Sequence, residues 1–285
     1  MSSAGSRDLP PLHTFDVEGM NTVFTIRIRH ADVVEARRWA GNCFRQLEEL
    51  EAQLSRYRPD SDVSRINLLR TGESMLLTDA VYRCLQRSLE ATELTAGLFD
   101  VTLGVQTRDR TSSESDPPRG TLTLSPDRPE ILCGEAGREI DLGGIGKGFA
   151  LDEMASTLRE LGVERALLSC GASTHLAVGE GSWKVVLRGD REKTEVELAG
   201  EALSASGLGE QAAHVVHPDT GSAPDYRFCR VWVVAAAAAL ADALSTACLI
   251  MDEDELTGFA SMVAEAGITI YRESAGDGTV RGARG

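Results

Sequence analysis

The sequence predicts an α+β fold in which antiparallel sheet layers carry helices packed on their faces. Three observations predict it. Strand-like runs between residues 165 and 234 are short, close together and mostly spaced as hairpins; helical patterns do not alternate regularly with them; and no internal repeat is present.

The elements follow in order. Residues 22 to 29 alternate, with Phe24, Ile26 and Ile28 on one side and Thr25, Arg27 and Arg29 on the other, as in a half-buried strand. Asp32 is a suitable N-cap for an amphipathic helix whose buried stripe is Trp39, Cys43, Leu47, Leu50 and Leu54, and Pro59 stops that pattern. A second helix starts at the N-cap Thr78, buries Val81, Leu85 and Leu89, and ends at the C′ glycine Gly97. Residues 107 to 120 are polar, aperiodic and rich in Pro and Ser, and read as an exposed loop. A helix from about Lys147 to Leu161 follows a glycine-rich turn. Strands are then expected at Arg165–Ser169, Trp183–Arg188, Thr194–Leu198, Ala202–Ser206, His214–His217 and Arg230–Val234. The Ala-rich stretch 235–249 has high helix propensity, Glu255–Ala266 makes a last helix and Ile268–Tyr271 a last strand. The whole chain, 1–285, reads as one domain with a flexible loop at 107–120 and a frayed tail from Glu273.

The chain carries 29 Lys+Arg against 44 Asp+Glu, a formal charge of −15. Nucleic acids and anionic membranes select positive surfaces, so both are excluded as general partners. A phosphate-bearing ligand must be held locally, by backbone N–H groups, a few chosen cations or a metal. The six cysteines are scattered without a CxxC pair and read as reduced core thiols. The N-terminal residues carry no apolar signal segment and no stretch is apolar enough to span a bilayer, so the protein is expected to be cytoplasmic.

Four segments can carry chemistry. In Glu139–Asp152 (EIDLGGIGKGFALD) a strand end runs through glycines into a helix. Glycines permit close backbone approach to a ligand, and a helix start aims N–H groups outward. Its spacing is neither a Walker A loop nor GxGxxG, and ordinary connection chemistry is the competing reading; Lys147, a cation in an acidic protein, raises the case for phosphate. In the second segment, Asp242 and Thr246 stand one helical turn apart on one face, with Ser245 beside them. Carboxylate plus hydroxyl is hard-cation chemistry, and magnesium takes few protein oxygens and fills its shell from water and phosphate. The competing reading has Asp242 capping or pairing with an arginine and Thr246 bonding back to its own helix. The third segment is Ser204–Gly207 with His214–Gly221, in which Pro218-Asp219-Thr220-Gly221 is a turn; His214 and His217 point to opposite faces of a strand and do not share a metal. The fourth, Leu98–Gly104, places Phe99 and Asp100 directly after the Gly97 stop.

In this order the segments resemble the ApbE family of flavin transferases. The resemblance rests on Met20-Asn21-Thr22, on Ser55-Arg56-Tyr57-Arg58-Pro59-Asp60-Ser61 with Asn67, on Phe99–Gly104, on Asp141–Asp152, on His214–Gly221 and on Ala241–Thr246. It implies a T-fold-like ApbE architecture and a magnesium-dependent transfer of FMN from FAD to a Thr or Ser hydroxyl of a partner flavoprotein, releasing AMP. It also implies metal ligation at Gly144, Asp242 and Thr246 with Ser245 nearby, and flavin or adenine contacts at Met20, Tyr57, Leu98, Phe99, Asp100, Asp141, Lys147 and Val216. Transfer needs a base for the acceptor hydroxyl, for which His214 is the candidate, with Lys147 and Asp242 completing the catalytic set. The chain departs from the family pattern at Gly171-Ala172-Ser173, Ala205-Ser206-Gly207 and His217-Pro218-Asp219, and its segment between Gly104 and Asp141 is short. Two alternatives keep the site: an FAD pyrophosphatase yielding FMN and AMP, and a non-catalytic FAD-binding protein.

Overall fold

A computed structural model describes residues 9–108, 118–208, 215–220, 224, 226–274 and 278–282. Its first element is a hairpin of β1 (Leu12–Gly19) and β2 (Thr22–Arg29), turned by Met20 and Asn21, whose φ values of 47° and 60° are those a tight two-residue hairpin requires. β2 is the strand expected from alternation. β1 is not among the expected strands, although Phe15 and Val17 alternate with Thr14, Asp16 and Glu18; as an edge strand it buries no residue fully.

Helix α1 (Val33–Leu54) follows, its N-cap Asp32 accepting from the N–H groups of Val34 and Glu35, and its buried stripe is the expected one extended by Ala36 and Ala40. A short α2 (Asp62–Ile66) and strand β3 (Ser74–Leu76) lead to α3 (Asp79–Leu94). Thr78 stands at the N-cap of α3, but its side chain makes no cap bond; its own N–H donates to Asp62 instead, at 2.7 Å. Gly97 takes the left-handed φ of +91° three residues after α3 ends. The loop expected from 107 begins inside α4 (Gly104–Arg108); residues 109–117 lie outside the described residues, and the chain resumes in β4 (Thr121–Leu124) and β5 (Glu130–Glu135), which with β3 form a small separate sheet.

Helix α5 (Gly146–Glu160) and strand β6 (Arg165–Cys170) match expectation, whereas β7 (Thr174–Gly179) is an addition. Strand β7 is buried on both faces over much of its length and so lacks the period-two signature of a half-exposed strand. Strands β8 (Trp183–Arg188), β9 (Lys193–Leu198), β10 (Ala202–Gly207) and β11 (Phe228–Ala235) come next, then α6 (Ala238–Ile250), α7 (Glu253–Val263), a 3-10 turn, β12 (Thr269–Ser274) and β13 (Val280–Gly282). No strand forms over 215–217, where Val215 and Val216 are only half-buried and Pro218 removes the next N–H; His214 lies outside the described residues. The tail is paired where it is described, because β13 extends the sheet beyond β12.

Eight strands form one fully antiparallel sheet in the order β1-β2-β6-β7-β10-β11-β12-β13. One face, with Phe24, Ile26, Ile28, Ala166, Leu168 and Leu176, packs against the helices to make the main core. Part of the other face is covered by the β8–β9 hairpin, where Val185, Leu187 and Leu198 meet Ala177, Leu203, Trp232 and Val234. All six cysteines are free, five of them buried, and burial pushes the Cys43 and Cys170 thiols up to about 12. Among the described residues no helix is long and apolar enough to cross a membrane.

Candidate functional site

Three distant segments converge on residues 139–141, just before the glycine turn. Asn67 uses both ends of its amide on Ile140, accepting from its N–H at 2.6 Å and donating to its carbonyl at 3.0 Å. The 100–104 segment runs alongside: Gly104 donates to the Glu139 carbonyl and Asp141 donates to the Val101 carbonyl. A Cβ on Gly104 would sit 2.7 Å from that Glu139 carbonyl oxygen, so the approach is open only to glycine. Arg56 closes the cluster. Its guanidinium donates to the Asp141 carboxylate at 2.6 Å, to the Gly104 carbonyl and to the Thr107 hydroxyl, and Thr107 also donates to Asp141. The remaining Asp141 oxygen accepts from the Gly143 N–H at 2.9 Å and fixes the start of the turn.

From the turn onward α5 meets α6 in an antiparallel register with a four-residue step on each side. A Cβ on Gly144 would lie 3.3 Å from the Thr246 hydroxyl, the Gly148 N–H donates to Asp242 at 3.2 Å, and the Asp152 carboxylate accepts from Ala238 and Ala239, each at 2.8 Å. The last pair supplies the N-terminal cap of α6, because the methyl side chain of the cap residue Ala237 has no acceptor to offer. Contact this close depends on Gly148, where an added Cβ would fall 2.3 Å from the Ala238 carbonyl oxygen.

Asp242 is 6 % exposed. Burial raises the pKa of its carboxyl group, and the nearby Lys147 charge, the Ser204 hydroxyl and the Gly148 N–H each oppose that rise. Lys147 itself folds back over the turn, its ammonium donating to the Gly143 carbonyl at 2.9 Å. The Ser245 and Thr246 hydroxyls both donate to the Asp242 carbonyl, and Ser206 of β10 lies 2.8 Å from Ser245 and 3.4 Å from Thr246. Thr246 therefore does bond back to its own helix, whereas Asp242 does not cap α6 and, among the described residues, pairs with no arginine. Each of these oxygens keeps a lone pair. A single buried carboxylate among hydroxyls, with the Gly144 backbone alongside, is a hard-oxygen set that fits magnesium and not a thiophilic metal. Among the described residues no group of three or more His, Cys, Asp or Glu forms a metal cluster, so any cation here draws on hydroxyls, backbone and ligand phosphates.

The other expected residues are placed unevenly. Phe99 is buried and lines the turn, its ring 3.1 Å from where a Gly144 Cβ would be. Asp100 binds Thr102 through one oxygen and Arg138 through the other. Leu98 and Met20 pack partly buried against the core, and Tyr57 stands 80 % exposed beside Arg56, whose guanidinium is 5.8 Å from the ring centroid. Val216 lies half-buried in its irregular stretch. Arg56, Asn67, Gly148 and Ser204 lie inside the motifs quoted above but carry no role there, and Thr107 lies in the expected loop; for Gly148 a signal exists, as one more glycine inside a helix that gains nothing from it.

The fold and the site together define an α+β protein with a hard-oxygen site between two antiparallel helices. The chain belongs to the ApbE family, whose sequence pattern matches residues 20–269. It is similar to the FAD:protein FMN transferase of Vibrio cholerae, with 26% identity over 82% of this chain and 80% of that one, and to that of Klebsiella pneumoniae, with 24% identity over 90% and 82%. Among solved structures, the apo form of the Pseudomonas stutzeri flavinyl transferase ApbE superposes with a TM-score of 0.84 at 23% identity, covering 98% of this chain and 96% of that one. The ApbE protein of Thermotoga maritima gives 0.82 at 18%, with coverages of 95% and 97%.

Proposed function

We propose that this protein transfers FMN from FAD to a Thr or Ser hydroxyl of a partner flavoprotein and releases AMP, with magnesium as the metal. The observation that carries the reading is the apposition of Gly144 and Thr246 beside the buried Asp242, in a chain whose relatives are named FAD:protein FMN transferases. The acceptor oxygen forms a bond to the phosphorus of the FMN half, the bond from that phosphorus to the bridging oxygen breaks, and AMP departs with the bonding pair. The hydroxyl proton passes to a base, a role we assign to His214.

The Gly144 carbonyl, the Asp242 carboxylate and the Thr246 hydroxyl, with Ser245 beside them, would hold the cation. Bound there, magnesium supplies neutralisation of the charge that develops on the pyrophosphate. Lys147 adds a positive charge at the helix start, and its reach over the glycine turn lets it swing from the Gly143 carbonyl to a phosphate oxygen. Met20, Tyr57, Leu98, Phe99, Asp100, Asp141 and Val216 would line the flavin and adenine. The rest of the rate comes from holding the two reactants in line.

The test is incubation of the purified protein with FAD and magnesium, with and without a threonine-bearing flavoprotein, followed by product separation. AMP that appears only with the acceptor supports transfer, AMP without it means hydrolysis, and unchanged FAD in both arms means binding alone. Asp242→Ala is expected to remove magnesium-dependent turnover while the circular dichroism spectrum stays native. Retained activity in that variant would overturn the metal assignment.

A further inference from the structure

We propose that Ser204, backed by Thr174, is a positioning residue that aims the Asp242 carboxylate at the cation. The inference rests on the magnesium reading of the site.

Ser204 and Thr174 are both 0 % exposed and stand directly opposite each other across the β7–β10 pair, on the sheet face that meets the helices. On that face Ala202 and Leu176 are the next facing pair, Val233 lies across on β11 and Cys170 across on β6, all apolar, while Ser206 continues β10 towards Ser245. A hydroxyl buried among such residues costs about 1–3 kcal/mol unless it is hydrogen-bonded, and alanine or valine would fill either place without that cost. The two hydroxyls therefore need a reason to be there. They are joined to each other at 3.0 Å, and Ser204 reaches across to Asp242 Oδ1, also at 3.0 Å; Thr174 is further flanked by the Ser173 hydroxyl at 3.4 Å.

The direction of this chain follows from its end. An ionised carboxylate only accepts, so Ser204 must donate to Asp242 and is left to accept from Thr174. The second carboxylate oxygen is held by the Gly148 N–H. Asp242 is thus gripped from opposite sides, by the sheet through Ser204 and by α5 through Gly148. That grip leaves one lone pair free on each oxygen, with the Lys147 charge close enough to act on the carboxylate. Outer-shell partners that orient a ligand in this way typically change metal affinity by about 10- to 100-fold when removed.

The experiment measures magnesium binding to the full chain by calorimetry without FAD, alongside the apo melting temperature and the magnesium dependence of turnover. Ser204→Ala is expected to raise the magnesium Kd by roughly tenfold and the magnesium concentration for half-maximal turnover in step, with kcat at saturating magnesium largely kept. Ser204→Thr, which keeps the hydroxyl, is expected to restore the affinity, and Thr174→Val to weaken it by a smaller factor. An unchanged Kd in Ser204→Ala overturns the proposal, as does a Ser204→Thr variant that melts like the native protein yet binds as weakly as Ser204→Ala. Should Ser204→Ala fail to fold, Thr174→Val decides, and native affinity there overturns it. A native protein that binds no magnesium either alone or in the presence of FAD is a failure of the metal reading itself and is seen before any variant is made.

Discussion

A histidine that a fold half-buries beside a positive charge ties stability to pH, and His175 of β7 is such a residue. It accepts or donates at 2.9 Å with the Ser169 hydroxyl, and burial, helped by the Arg27 charge, lowers its pKa from 6.5 to about 4. The unfolded chain takes up a proton near 6.5 and the folded chain does not until about 4. Stability from this group is therefore complete above 6.5 and is lost as pH falls towards 4. The loss at pH 4.5 amounts to about 2–3 kcal/mol. His175→Gln keeps a hydrogen-bonding partner for Ser169 without the titration, so urea midpoints measured at pH 7 and 4.5 should differ less in the variant than in the native protein. Equal losses in both would show that His175 is not the group responsible. The legibility of single residues follows a related physical line. Asp242 and Thr246 are readable because helical geometry alone makes them neighbours. Arg56, Asn67 and Ser204 are not, since their partners lie 85, 73 and 38 residues away and only the tertiary fold brings them together.

Elements whose signal is local are the ones that periodicity recovers. Helix α1 carries its own cap and its own stripe, and its boundaries follow from both. Strand β7 lacks a local signature because it is buried on both faces over much of its length, whereas β1 does alternate, with Phe15 and Val17 between Thr14, Asp16 and Glu18, in a run with only two large apolar residues on its inner side. The pairing of α5 with α6 has no signature either, although both helices are readable singly. Its register is set by Gly144, Gly148 and Asp152 against Thr246, Asp242 and Ala238, and the end far from the site is fastened by the Asp152 cap. Asp152→Ala leaves two buried-end N–H groups of α6 without their acceptor, at a cost of about 2 kcal/mol. A chain of this size should then melt roughly 3–4 °C lower. The same variant should bind magnesium more weakly, because α6 is freed to shift against Gly144. A lower melting point with native magnesium affinity would mean that the clamp supports the fold alone and that α6 keeps its register without it.

The molecule as a whole carries −15, and under the proposed function it must admit an anionic dinucleotide. Two fields of opposite sign act on that ligand at different ranges. The net charge repels it over the distance that salt leaves unscreened, about 30 Å at 0.01 M and about 8 Å at 0.15 M. Lys147 attracts the pyrophosphate only at contact, inside a site where screening is weak. Raising salt therefore removes the repulsion first and leaves most of the attraction in place. The association rate constant of FAD, followed by stopped-flow quenching of flavin fluorescence, should rise several-fold between 0.01 and 0.15 M salt while the dissociation rate changes little. This is the reverse of the salt dependence of ligands steered by a complementary field, whose association slows as salt is added. An association rate that falls with salt would show that the Lys147 charge projects a positive field beyond the mouth and outweighs the acidic surface around it.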